Sequence, residues 1–125
     1  MNNIKFRTFL KSENKKPNNE QMIYSTTQKK EMLSFWKDWY AWSGDKILML
    51  FTGLKDKNGK EIYEGDIIKD RYGNLVVKWN KDYLCWSFEN KNRKITFFDF
   101  GGYPEFWLKS IEVIGNIYEN GDIEI

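Results

Sequence analysis

The sequence predicts a mainly β chain built around a small barrel or roll. Beyond Asp45 nearly every apolar run is short, rich in β-branched or aromatic residues and followed by turn-forming residues: KILMLFT, EIY, DIIKD, NLVVKW, YLCWSFE, KITFFDF and SIEVIGNIYE. A chain of 125 residues is sized for a single domain with a modest core. Short strands in such a chain gain by closing on one another, because closure limits exposed edges.

Each element follows from its local pattern. Ile4, Phe6 and Thr8 alternate with Lys5 and Arg7, which predicts an N-terminal strand with one apolar and one basic face. The polar stretch KSENKKPNNEQ is a loop, and MIYS at 22–25 forms a short returning strand. Thr26 and Thr27 then offer a hydroxyl to cap a helix. Met32, Phe35, Trp36, Trp39, Tyr40 and Trp42 recur at three- and four-residue spacing, which predicts a short helix over about 28–42. Ser43 and Gly44 end it, with Gly44 in the left-handed conformation. The aromatics in FWKDWYAW also suit a two-faced strand, and periodicity alone leaves that alternative open. The expected organisation is an N-terminal strand, loop and helix appendage over 1–45 that packs on a β-barrel or roll over 46–125.

The stretch GLKDKNGKEIYEGDII, residues 53–68, crowds charges and glycines as a ligand loop would. A phosphate loop needs four residues between its first glycine and a Gly-Lys pair followed by Ser or Thr. Here five residues separate Gly53 from Gly59, and Glu61 follows Lys60. A calcium loop with Gly59 sixth would place Leu54 first and Gly65 twelfth, where a bidentate glutamate belongs. Both readings fail. Asn58-Gly59 instead predicts a type I′ hairpin turn with positive φ at both residues, supported by Asp56. Glu64-Gly65-Asp66 marks a second reversal. Glu61, Glu64 and Asp66 are near enough in sequence for acid-base work or a hard cation, but each also has a turn or solvation role.

Composition narrows the function classes. The chain has no histidine, which excludes the usual catalytic triads and histidine-ligated metal centres. One cysteine, Cys85, can form neither an internal disulfide nor a thiolate cluster, and it reads as a half-buried strand residue in a reducing compartment. The N-terminus lacks the apolar core of a signal peptide, and no run approaches the roughly 20 apolar residues of a membrane span. A soluble, intracellular protein without cofactor or metal is expected. Lys and Arg total 20 against 18 Asp and Glu, for a net charge of +2. The first 50 residues carry +4 and the rest −2, too mild a field to announce nucleic acid.

The segment ILMLFTGLKDKNGKEIYEGDIIK resembles the signature of the YopX family of phage and prophage proteins. MNNIKFRTF is similar to that family's opening strand, and IEVIGNIYEN, residues 111–120, to its closing segment. The resemblance spans most of the chain. It implies an SH3-like barrel or roll in the C-terminal part, a phage or prophage origin, the bacterial host cytoplasm as location, and no catalytic residues. FWKDWYAW replaces more variable and often acidic sequence, and GDIEI replaces a proline-containing tail. A function particular to this chain is therefore sought first in the Trp-rich segment.

Trp36, Trp39, Tyr40 and Trp42 are the candidate partner-binding residues, since large amphipathic rings anchor interfaces. Core packing competes for them, because a chain with six tryptophans must bury several. A second candidate is KNRKITFFDFGGYPEFW, where Lys91, Arg93 and Lys94 precede aromatics and Tyr103. Cations beside rings suit single-stranded nucleic acid, although a hairpin around the Gly-Gly-Tyr-Pro turn explains the same letters. A third reading is an oligomeric sponge for a small nucleotide, with Arg7, Arg71 or Arg93 on phosphates and a tryptophan on the base. The expectation is a non-enzymatic accessory protein that binds a host or phage macromolecule and inhibits a bacterial function such as anti-phage defence. Nucleic-acid binding and nucleotide sequestration are the alternatives, and surplus aromatics leave self-association open.

Overall fold

The structure is a computed structural model that describes residues 5–12, 20–25, 29–100 and 104–125. Among the described residues it is mainly β, with nine strands, one helix longer than a single turn and two sheets with a half-barrel curl. Two compact units are present, Met1–Phe51 and Thr52–Ile125.

In the first unit, β1 (Phe6–Lys11) lies between β2 (Gln21–Tyr24) and β3 (Asp45–Lys55), antiparallel to both. Thr8 stands opposite Ile23 on one side and Leu48 on the other. Ile4, expected in the first strand, lies outside the described residues, as do Thr26 and Thr27. α1 (Lys29–Ala41) occupies the predicted helical stretch. The helix is favoured over the strand alternative by a simple geometric fact. The Phe6 ring meets both Phe35, at 5.3 Å between centroids, and its neighbour Trp36, at 6.0 Å. Adjacent residues on a strand point to opposite faces, whereas helical neighbours can share one partner.

Gly44 does not serve as the expected left-handed cap, since it is absent from the positive-φ glycines. Its lack of a side chain has another use: a Cβ there would run into the Lys11 carbonyl and the Trp42 indole. The Trp42 indole N–H donates to that same carbonyl at 2.9 Å, so the chain leaving α1 is tied to the end of β1.

The second unit holds a five-stranded antiparallel sheet. It comprises β5 (Asp66–Asp70), β6 (Gly73–Asn80), β7 (Cys85–Glu89), β8 (Lys94–Thr96) and β9 (Glu112–Asn116), in the order β8-β7-β6-β5-β9. β4 (Glu61–Tyr63) is the neighbour of β3, which continues past Phe51. The core gathers Ile62, Ile68, Leu75, Val77, Phe88, Leu108, Ile111 and Val113. Fully burying a side chain such as Phe88 contributes roughly 1.5–3 kcal/mol.

The Asn58-Gly59 hairpin exists but is not type I′. Gly59 has φ of 79° while Asn58 is not among the residues with positive φ. The Gly59 N–H donates to the Asp56 carbonyl, and the Asp56 N–H donates to the Lys60 carbonyl. This is a three-residue loop, in which a turn centred on Lys57 and Asn58 is followed by a left-handed glycine. The Asp56 carboxylate selects it by accepting the N–H groups of both Asn58 and Lys60 through Oδ1, each at 2.9 Å.

Two expected strands are shorter than their apolar letters. KITFFDF pairs only over β8, after which Phe97–Phe100 form a 3-10 turn. Asp99 explains the stop, because its Oδ2 accepts the Thr96 N–H at 2.6 Å and offers the backbone a local alternative to the sheet. Residues 101–103 of the expected Gly-Gly-Tyr-Pro turn lie outside the described residues, and beyond them a one-turn helix, α2 (Glu105–Leu108), puts Leu108 into the core. In YLCWSFE, Tyr83 and Leu84 belong to the turn before β7, with Leu84 at φ of 52°. Cys85 is half-buried at the first position of β7.

Candidate functional site

α1 divides the Trp-rich segment by face. Phe35 is buried, and Trp42 is half-buried with its N–H engaged by Lys11. Trp39 is half-buried under the Lys46 ammonium, which sits 4.1 Å from its ring centroid. Trp36 is 39% exposed and Tyr40 77%, and Leu33, which sequence reasoning overlooked, is 66% exposed. Leu33, Trp36 and Tyr40 are three and then four positions apart, so they form one ridge along the helix. Edge-to-face contacts link Trp36 to Trp39 at 5.8 Å and Trp39 to Tyr40 at 5.5 Å. The ridge is thus braced from beneath by a half-buried ring, which reduces the rotamer freedom that binding would otherwise have to freeze. Lys37 and Asp38 are exposed beside it.

Leu33 could have been found from its spacing to Trp36 and Tyr40. The partition of the four aromatics could not, because it depends on where β1 lies.

The basic residues proposed for phosphate are dispersed. Arg7 is buried in β1 of the first unit, at 3% exposure. Lys91 and Lys94 are exposed at the β7–β8 turn and on β8. Tyr103 lies outside the described residues. Arg71 and Arg93 do meet, in a cavity of about 260 Å³ in the second unit lined also by Tyr72, Ile95, Phe100 and Trp107. The Arg93 guanidinium makes a two-pronged contact with the buried Asp70 carboxylate at 3.0 and 2.6 Å. Burial alone would raise the pKa of Asp70, but the hydrogen bonds from Arg93 and the Tyr72 N–H outweigh it and hold the group below its ordinary range. The same pairing raises the Arg93 pKa above its usual value. Tyr72 stands between the cations in chemistry, with Arg71 5.1 Å and Arg93 5.4 Å from its ring centroid. Asp70, Tyr72 and Trp107 were not singled out in the sequence, where Asp70 and Arg93 are 23 positions apart with no shared motif.

Among the carboxylates near the Asn58-Gly59 hairpin, Asp66 is already engaged. The Asp66 side chain is buried and accepts the Tyr63 N–H at 2.8 Å. No group of three Asp, Glu or Cys side chains arranged to hold a metal ion occurs among the described residues. No helix among them is long and apolar enough to cross a membrane.

No curated protein is significantly similar to the chain. Its fold is similar to that of protein EF1440 from Enterococcus faecalis, seen in a crystal structure, with a TM-score of 0.52 and 21% identity over 98% of each chain. At that identity the likeness concerns the fold. The family model described as YopX protein matches residues 5–123, nearly the whole sequence. The chain belongs to the YopX family.

Proposed function

We propose that this YopX-family chain is a non-enzymatic phage or prophage accessory protein that acts in the host cytoplasm by docking the α1 ridge on a host or phage protein. The observation that carries the reading is the division of α1. Phe35 is buried while Leu33, Trp36 and Tyr40 remain exposed on a helix whose other face already packs within its unit. Aromatic rings held rigidly at a surface are the side chains that contribute most per residue to protein interfaces. The expected partner has an apolar groove with an acidic rim to meet Lys37. Inhibition of a bacterial function such as anti-phage defence is the consequence proposed for that docking, and it rests on the phage and prophage character of the family.

The non-enzymatic reading is supported by the lack of histidine and by the use of Asp56, Asp66 and Asp70 as hydrogen-bond acceptors for neighbouring backbone or side chains. The test is affinity purification from host cells, followed by binding measurements with the purified partner. Trp36→Ala with Tyr40→Ala should leave a folded protein with a cooperative transition, its thermal midpoint lowered by loss of the Trp36 contacts with Phe6, Phe35 and Trp39, while Tyr40→Ala alone, at a 77% exposed position, should keep the parent midpoint. The pair should weaken binding by at least 100-fold, at about 2 kcal/mol or more for a central aromatic anchor. Undiminished binding by the double variant would remove the ridge from the interface. Recovery only of further copies of the chain would make the ridge a self-association surface.

A further inference from the structure

We propose that the cavity in the second unit binds a flat heteroaromatic ring that carries one anionic group and an N–H donor edge, the chemistry of an amino-bearing nucleoside monophosphate. This goes beyond the α1 docking reading and involves none of its residues. The inner lining is Ile95, Phe100 and Trp107, all half-buried. Trp107 is held by two rings. It stacks on Phe100 at 5.3 Å and 26° and meets Phe88 edge-on at 4.8 Å. An apolar wall of rings already locked by their neighbours offers a flat ligand contact at little cost in side-chain ordering.

The charges then narrow what the ring carries. Arg93 points both terminal nitrogens at Asp70, so its charge and its fork of donors are engaged. Arg71 is exposed on the rim over Tyr72, and no carboxylate pairs with it among the described residues. One cation is thus available for one anionic group. Asp99 lies on the same rim, its Oδ2 held by the Thr96 N–H, and gives a carboxylate toward which an amino edge can point. A polyphosphate would need a second uncommitted cation. The volume, about 260 Å³, lies below the roughly 300–1,000 Å³ of drug-sized sites, which suits one ring system rather than two.

The experiment is a calorimetric titration of the full chain with AMP, adenosine and ATP, with tryptophan fluorescence as a second readout. AMP should bind at least 5-fold more tightly than adenosine, and ATP should gain no more than a few-fold over AMP. Arg71→Ala should bring AMP down to the adenosine level while leaving the thermal midpoint unchanged, and Asp99→Asn should weaken AMP and adenosine alike. Trp107→Phe should weaken every member of the series. No binding of AMP at millimolar concentration, equal binding of AMP and adenosine, or full affinity in Arg71→Ala would each overturn the proposal. Much tighter binding of ATP would overturn its single-anion limit and reassign the site to polyphosphates.

Discussion

The Asp56 carboxylate accepts the main-chain N–H of Val113 through Oδ2 at 2.9 Å, joining the β3–β4 hairpin to β9 across 57 positions of sequence. Its other oxygen takes the Asn58 and Lys60 N–H groups, so one buried side chain satisfies three backbone donors. Lys57 adds a main-chain bond from its N–H to the Ile111 carbonyl nearby.

Replacing Asp56 with alanine removes the acceptor for all three donors, of which the Val113 N–H is buried and cannot recruit water freely. Leaving buried donors unsatisfied costs about 1–3 kcal/mol each, and more when the lost acceptor is charged. Asp56→Ala should therefore lower stability by about 3 kcal/mol or more in urea unfolding. Asp56→Asn keeps the shape and one carbonyl acceptor, and should lose about half as much. Equal, small losses in both variants would mean that the carboxylate is not the staple of this hairpin.

The strands were legible because their turns are local: Asn58, Gly59, Gly65 and Asp66 lie where the chain reverses, and period-two patterns flank them. The helix was legible from the spacing of Met32, Phe35, Trp36 and Trp39. What escaped depends on residues far apart. The hairpin type follows from a carboxylate that is held in place by Val113, which no local window contains. Asn-Gly fits both turn types, and the side chain of Asp56 decides between them. The end of β8 at Thr96 depends on Asp99 competing for a backbone donor, against the strong strand propensity of the phenylalanines that follow. The cavity is the extreme case, because Asp70 on β5, Arg93 in the β7–β8 turn and Trp107 on α2 are far apart in sequence and carry no joint signature. Gly44 shows the same limit, since its need to lack a Cβ comes from the Lys11 carbonyl of another strand.

Acid should destabilise the second unit in a way that Asp56 and Asp70 dominate. Burial alone would raise each pKa, but backbone donors from Val113, Lys60 and Asn58 lower that of Asp56, and Arg93 with the Tyr72 N–H lowers that of Asp70. A group whose folded pKa is depressed binds its proton more weakly in the native state than in the unfolded one. Its stabilisation is complete above the unfolded value, about 3.9 for aspartate, and is lost as pH falls through the folded value. Urea midpoints should be nearly flat from pH 7 to about 5 and fall steeply below about pH 4. Asp56→Asn should start lower at pH 7 yet show a shallower acid slope. An identical acid slope in the parent, Asp56→Asn and Asp70→Asn would place the titration elsewhere.

The turn assignment separates two neighbouring residues that a type I′ turn would treat alike. Gly59 has φ of 79° and open space around its Cβ direction, so an alanine there meets no atom and suffers only the backbone penalty. That penalty is about 1–2 kcal/mol for an L-residue in the left-handed region. Asn58 has ordinary φ, and the bond to Asp56 uses its main-chain N–H rather than its side chain. Gly59→Ala should thus lower stability by about 1–2 kcal/mol, whereas Asn58→Ala should stay within about 0.5 kcal/mol of the parent, as surface changes without a special role do. Urea unfolding of the two single variants measures both. Comparable losses would show that Asn58 also needs the left-handed conformation and would return the hairpin to type I′, with Asp56 then left to staple β9 alone.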